Sequence, residues 1–143
     1  MGKRVTLDDL QMAESFEYEV KHPVTGKPVG IFFTLFNKYS ERFQQAQRRE
    51  ALSAAKQAAA DREAGIEVSD EDKAARADHA GRRIVAACIG GWCTGKDKTV
   101  VFNGAEHEYS DANALALAES PGMRWLVNQL DIAIGRDGNF MKP

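Results

Sequence analysis

The chain has 143 residues, 43% hydrophobic and 28% charged, which suits one folded domain over 1–143 and excludes a chain too polar to bury a core. Its formal net charge is -2, and Lys and Arg alternate with Asp and Glu instead of gathering on one face, so the footprint of a nucleic-acid binder is missing. The longest mostly apolar stretches, 29–36 and 84–92, fall well short of the roughly 20 residues a membrane-crossing helix needs.

At the N-terminus, Val5 to Met12 contains two aspartates and no continuous apolar run, so no secretion signal is read there. With no such signal, Cys88 and Cys93 are expected as free thiols in a reducing compartment.

The first element is a strand from Phe16, with Phe16, Tyr18 and Val20 on one face and Glu17, Glu19 and Lys21 on the other. Two prolines and a glycine in His22-Pro23-Val24-Thr25-Gly26-Lys27-Pro28 then turn the chain. Val29 to Phe36 returns as the partner strand, with aromatic residues on both faces; either both faces are covered, or the second meets a partner. Ser40 is the N-cap of a long helix over 41–64, whose apolar side after three turns is nearly all alanine. Such a stripe buries little area, so the second half of the helix is expected to be weakly anchored.

Ser69 with Asp72 opens a second long helix, read as running to Ile89 and stopped by Gly90-Gly91. The two helices are expected to form a helical hairpin arm over 41–89. Thr99 to Phe102 reads as a short strand, and Asn103-Gly104 as a turn into a hairpin with Glu106 to Tyr109. Ser110 caps a helix over 111–119, and Pro121 opens a last one carrying Met123, Trp125, Leu126, Leu130 and Ile134. The tail from Asp137 to Phe140 reads as irregular. This order makes the fold class α+β: an N-terminal β-hairpin, two long helices, short strands and two C-terminal helices.

Chemistry-bearing motifs are few. Gly90-Gly91-Trp92-Cys93-Thr94-Gly95-Lys96 spells the first seven positions of a phosphate-binding loop, but Asp97 stands where Ser or Thr must hold magnesium, and no strand precedes it or helix follows it in this reading. Cys88, Cys93, His79 and His107 lack the close ligand spacing of a zinc site. Cys93 with His107 is the one thiol and imidazole pairing available for nucleophilic chemistry, with nothing in the sequence to activate it. Asp8-Asp9 and Asp70-Glu71-Asp72 sit where helix starts favour negative charge. The reading is therefore a non-enzyme with no cofactor and no metal, whose surface does the work. Phe32, Phe36, Tyr39 and Phe43, clustered where the second strand meets the first helix, are the candidate protein-binding residues, with Phe140 added from the tail.

Taken together, His22-Pro23-Val24-Thr25-Gly26-Lys27-Pro28, the polar helical middle reaching Ile89-Gly90-Gly91-Trp92, Val100-Val101-Phe102, Tyr109-Ser110-Asp111-Ala112-Asn113-Ala114 and Asn139-Phe140 resemble the tail assembly chaperones of long-tailed bacteriophages, over about 16–140. The resemblance implies a non-enzymatic protein in the cytoplasm of the infected bacterium that binds the tape measure protein, helps recruit tail tube subunits and self-associates as a homo-oligomer. It supplies no set of site residues. The alternative is a structural virion protein, either a head-tail connector or a minor tail protein.

Overall fold

A computed structural model describes residues 4–141. Strands β1 (Ser15–Lys21) and β2 (Pro28–Phe36) form an antiparallel hairpin, as the alternation requires, with Phe16 opposite Leu35 and Tyr18 opposite Phe33. The turn between them is closed by His22, whose Nδ1 accepts the backbone N–H groups of Val24 (3.1 Å) and Thr25 (3.2 Å). Helix α1 (Glu41–Glu63) starts at Ser40, whose hydroxyl accepts the Phe43 N–H; helix α2 (Asp70–Ala87) starts at Ser69, whose hydroxyl accepts the Asp72 N–H. The two run antiparallel, tied by Arg76 to Asp61 at 2.7 Å and Arg83 to Glu50 at 2.6 Å.

One expectation is corrected at the end of α2. Gly90-Gly91 does not simply stop the helix: α2 ends at Ala87, and Ile89–Thr94 forms strand β3, antiparallel to β2 on the side away from β1. The glycines serve the sheet, because the Phe36 ring lies across Gly90 and a Cβ there would collide with it. The register shift between Thr34 and Leu35 falls beside this position.

Strands β4 (Thr99–Phe102) and β5 (Ala105–Glu108) make the hairpin expected around Asn103-Gly104, both with positive φ (51° and 77°) as a tight two-residue turn demands. Helix α3 (Asp111–Glu119) is capped by Ser110, and α4 (Arg124–Gly135) follows a 3-10 turn at Pro121–Met123. Asp137–Asn139 forms one further 3-10 turn where an irregular tail was expected.

The core lies between one face of the β1-β2-β3 sheet and the helices. Phe33, Leu35 and Ile89 from the sheet meet Leu117, Leu126, Leu130 and Ile134 from α3 and α4, with Val85 and Cys88 from the base of the arm. Each fully buried side chain of this size contributes about 1.5–3 kcal/mol. Trp92 joins the second hairpin to this core: its ring meets Phe33, Phe102 and Tyr109 edge to face at 5.6–6.1 Å, and its indole N–H donates to the His107 carbonyl at 3.0 Å. On the outer edge of β1, the Gln129 amide of α4 accepts the Lys21 N–H (2.8 Å) and donates to the Lys21 carbonyl (2.9 Å), occupying the place of a neighbouring strand.

Candidate protein-docking surface

Side chains on a strand alternate between faces, so burying Phe33 and Leu35 sends Phe32, Thr34 and Phe36 to the other side of β2. On that side Phe32 lies between Glu19 of β1 and Cys93 of β3, and Thr34 between Glu17 and Gly91. Phe32 is half-buried and lies outside the core cluster; Phe36 is half-buried and packed against it. The second face of the sheet thus presents Phe32 beside Cys93, Thr34 beside Gly91 and Phe36 over Gly90, bordered by the carboxylates of β1.

The guanidinium of Arg42, in the first turn of α1, sits over the Phe36 ring at 4.6 Å from its centroid. The same group reaches Asp111 (3.3 Å) at the start of α3, and the Tyr109 hydroxyl donates to the Ile89 carbonyl (2.7 Å) while lying 3.0 Å from the Asp111 carboxylate. Burial, the largest influence, raises the Tyr109 pKa, so its hydroxyl stays a donor. Arg42 therefore fixes the ring that flanks the face, a role that no local sequence pattern announced.

The five candidate residues part company in the structure. Phe32 and Phe36 share the open face. Tyr39 is 58% exposed at the entry to α1, its hydroxyl 3.4 Å from Asp137, which also pairs with Lys38 at 3.4 Å. Phe43 is half-buried and packed against the core, anchoring the first turns of α1. Phe140 is a correction: it is 1% exposed, edge to face with Phe16 at 4.6 Å, and the Ala13 N–H donates to its carbonyl. Its ring fills the core side of the sheet, where Phe16 and Leu35 face, and offers nothing to a partner. Buried Asn37 completes this corner by donating to the Ala13 carbonyl (2.8 Å) and accepting the Tyr39 N–H (2.8 Å).

The remaining motifs fall into separate places. Gly90 to Thr94 lies within β3, and Thr94 and Asp97 exchange backbone hydrogen bonds across a tight turn, so no helix N-terminus faces the Lys96 loop. Cys88 is fully buried in the core, which pushes its thiol pKa up to about 12; His79 lies on the exposed arm; the His107 ring stacks on Phe102 at 3.9 Å. Among the described residues no three His, Cys, Asp or Glu side chains are grouped as a metal site requires. Nor, among them, is any helix long and apolar enough to cross a membrane.

Away from the sheet, the arm is bare. Residues 51–60 and 70–79 are all exposed, and Asp61 is the one buried residue beyond the middle of α1. Hydrogen bonds from Arg76 and Gln57 hold its pKa below the usual carboxylate value. At the base of the arm, α1, α2 and α3 enclose an open groove of about 560 Å³. Comparison of the chain with protein-family models, with curated proteins and with solved structures gives no match.

Proposed function

We propose that this protein is a non-enzymatic tail assembly chaperone of a long-tailed bacteriophage, acting in the cytoplasm of the infected host. It binds the tape measure protein and helps recruit tail tube subunits. The observation that carries the protein-binding part of this reading is the second face of β2, where half-buried Phe32 lies between Glu19 and Cys93 outside the core and Phe36 lies over Gly90. A half-buried aromatic side chain at Phe32, left outside the core, matches an apolar stripe on an elongated helical client, and the flanking Glu17, Glu19 and Arg42 give polar contacts around it. The phage setting rests on the sequence resemblance described above.

Co-expression with the tape measure protein encoded by the same phage tests the reading. A soluble complex that co-purifies is the expected result; a client left insoluble with no complex contradicts it. Mass spectrometry of purified virions separates the rival structural role, because a chaperone leaves the finished tail and a connector or minor tail protein stays in stoichiometric amount.

A further inference from the structure

We propose that the outer edge of β1 takes up an extended segment of another protein as an added strand, one that alternates basic and apolar residues. Backbone groups carry this contact, so it is independent of Phe32 and of the client's identity. In the sheet order β1-β2-β3, β1 is an edge strand. Phe36 donates its N–H to the Cys88 carbonyl (2.9 Å) and the Gly30 carbonyl accepts the Gly95 N–H (3.2 Å), so Phe32, Thr34 and Phe36 turn their backbone groups toward β3. Phe33 and Leu35 therefore point theirs at Tyr18 and Phe16, which leaves the N–H and C=O groups of Glu17 and Glu19 facing outward. None of these four groups has a hydrogen-bond partner among the described residues. At one end of the strand the Gln129 amide takes the Lys21 pair, and toward the other the Phe140 carbonyl accepts the Ala13 N–H. The stretch between them is an open template for pairing.

The side chains of β1 state what the added strand carries. Glu17 and Glu19 stand on the second face of the sheet, and neither forms an ion pair among the described residues. From Glu14 to Glu19 the chain holds three carboxylates and no cation. A residue paired directly opposite Glu17 or Glu19 would have its Cβ about 4.5–5.5 Å away, where Lys or Arg is favoured and Asp or Glu is repelled. On the core side Phe16 and Tyr18 are half-buried and meet edge to face at 6.1 Å, with the Tyr18 hydroxyl held by Gln129 at 2.9 Å. Between its two basic residues the segment therefore sets an apolar one against Tyr18. A second copy of β1 is a poor occupant, because it would put carboxylates opposite carboxylates. Strand β5 also carries Glu106 and Glu108, but the Trp92 indole takes its His107 carbonyl and the Asn113 amide its Glu108 carbonyl.

Fluorescence anisotropy of the dye-labelled peptide acetyl-Lys-Val-Lys-Val-Lys-Val-Lys amide, titrated with the full chain, tests this directly. Saturable binding is expected. Glu17→Lys, at an exposed position, should weaken it about fivefold or more, while Glu106→Lys on β5 should leave it unchanged. Backbone methylation of the peptide then separates strand pairing from charge attraction on the wild-type protein. N-methyl groups on the lysine amides, which would face β1, should abolish binding; N-methyl groups on the valine amides, which would face solvent, should leave it unchanged. Absence of saturable binding overturns the proposal. So does methylation that acts equally in both positions, or equal weakening by Glu17→Lys and Glu106→Lys.

Discussion

The two ends of this molecule are built on different physical terms. Where the base of the arm meets the sheet, Ile89, Leu35 and Leu130 are 0–1% exposed and large side chains interlock. Along the outer arm, every residue of 51–60 is exposed and alanine supplies most of the apolar surface. The first region is held by burial. The second is held by helix propensity, two caps and a few ion pairs, terms worth tenths of a kcal/mol to about 1 kcal/mol each. Damage to the base should therefore unfold the whole chain, whereas damage to the arm should be felt locally.

Substitutions can break that contrast. The largest effect is expected at Trp92, which joins the second hairpin to the sheet; Trp92→Ala should cost about 3–5 kcal/mol in denaturant unfolding. Next comes Gly90→Ala, where the added Cβ meets the Phe36 ring; overpacking there should cost about 1–3 kcal/mol. On the arm, Ala55→Gln should shift global stability by less than about 0.5 kcal/mol, since the position is exposed and Gln is a good helix former. A shift of several kcal/mol there would show that the arm is part of the cooperative core after all.

A pH series sharpens the same comparison. Because Arg76 and Gln57 lower the Asp61 pKa in the folded arm, its ion pair contributes fully above the unfolded carboxyl value near 4. That contribution is lost as pH falls through the lower folded value. The protection factors of the amides of 58–66, corrected for the intrinsic pH dependence of exchange, should fall over that acid range while those of β2 do not. Arg76→Ala should shrink the difference between neutral and acid pH, leaving the part that the Gln57 hydrogen bond supplies.

How much of this was legible beforehand depends on whether the deciding contact is local. Ser40, Ser69 and Ser110 each cap the helix expected of them, because a cap reads only its own next three residues. The Asn103-Gly104 turn and the alternation of β1 and β2 are local in the same sense. Gly90-Gly91 read as a stop, and only the Phe36 ring, more than fifty positions earlier in the chain, shows why glycine suits a strand there. Phe140 looked like a free tail aromatic until Phe16 and the Ala13 backbone drew it inside. Arg42 over Phe36, and the groove lined from α1, α2 and α3, are likewise products of tertiary packing that no sequence window contains.

On the proposed function, the second face of β2 is where a protein partner docks. Capture of the tape measure protein by wild type, Phe32→Ser and Val101→Ser, at equal concentrations, tests it most directly. Phe32 lies on that face, while Val101 is 68% exposed on the separate hairpin and serves as the control. Capture should be lost or at least tenfold weaker for Phe32→Ser and unchanged for Val101→Ser. Equal capture by all three proteins would contradict the account.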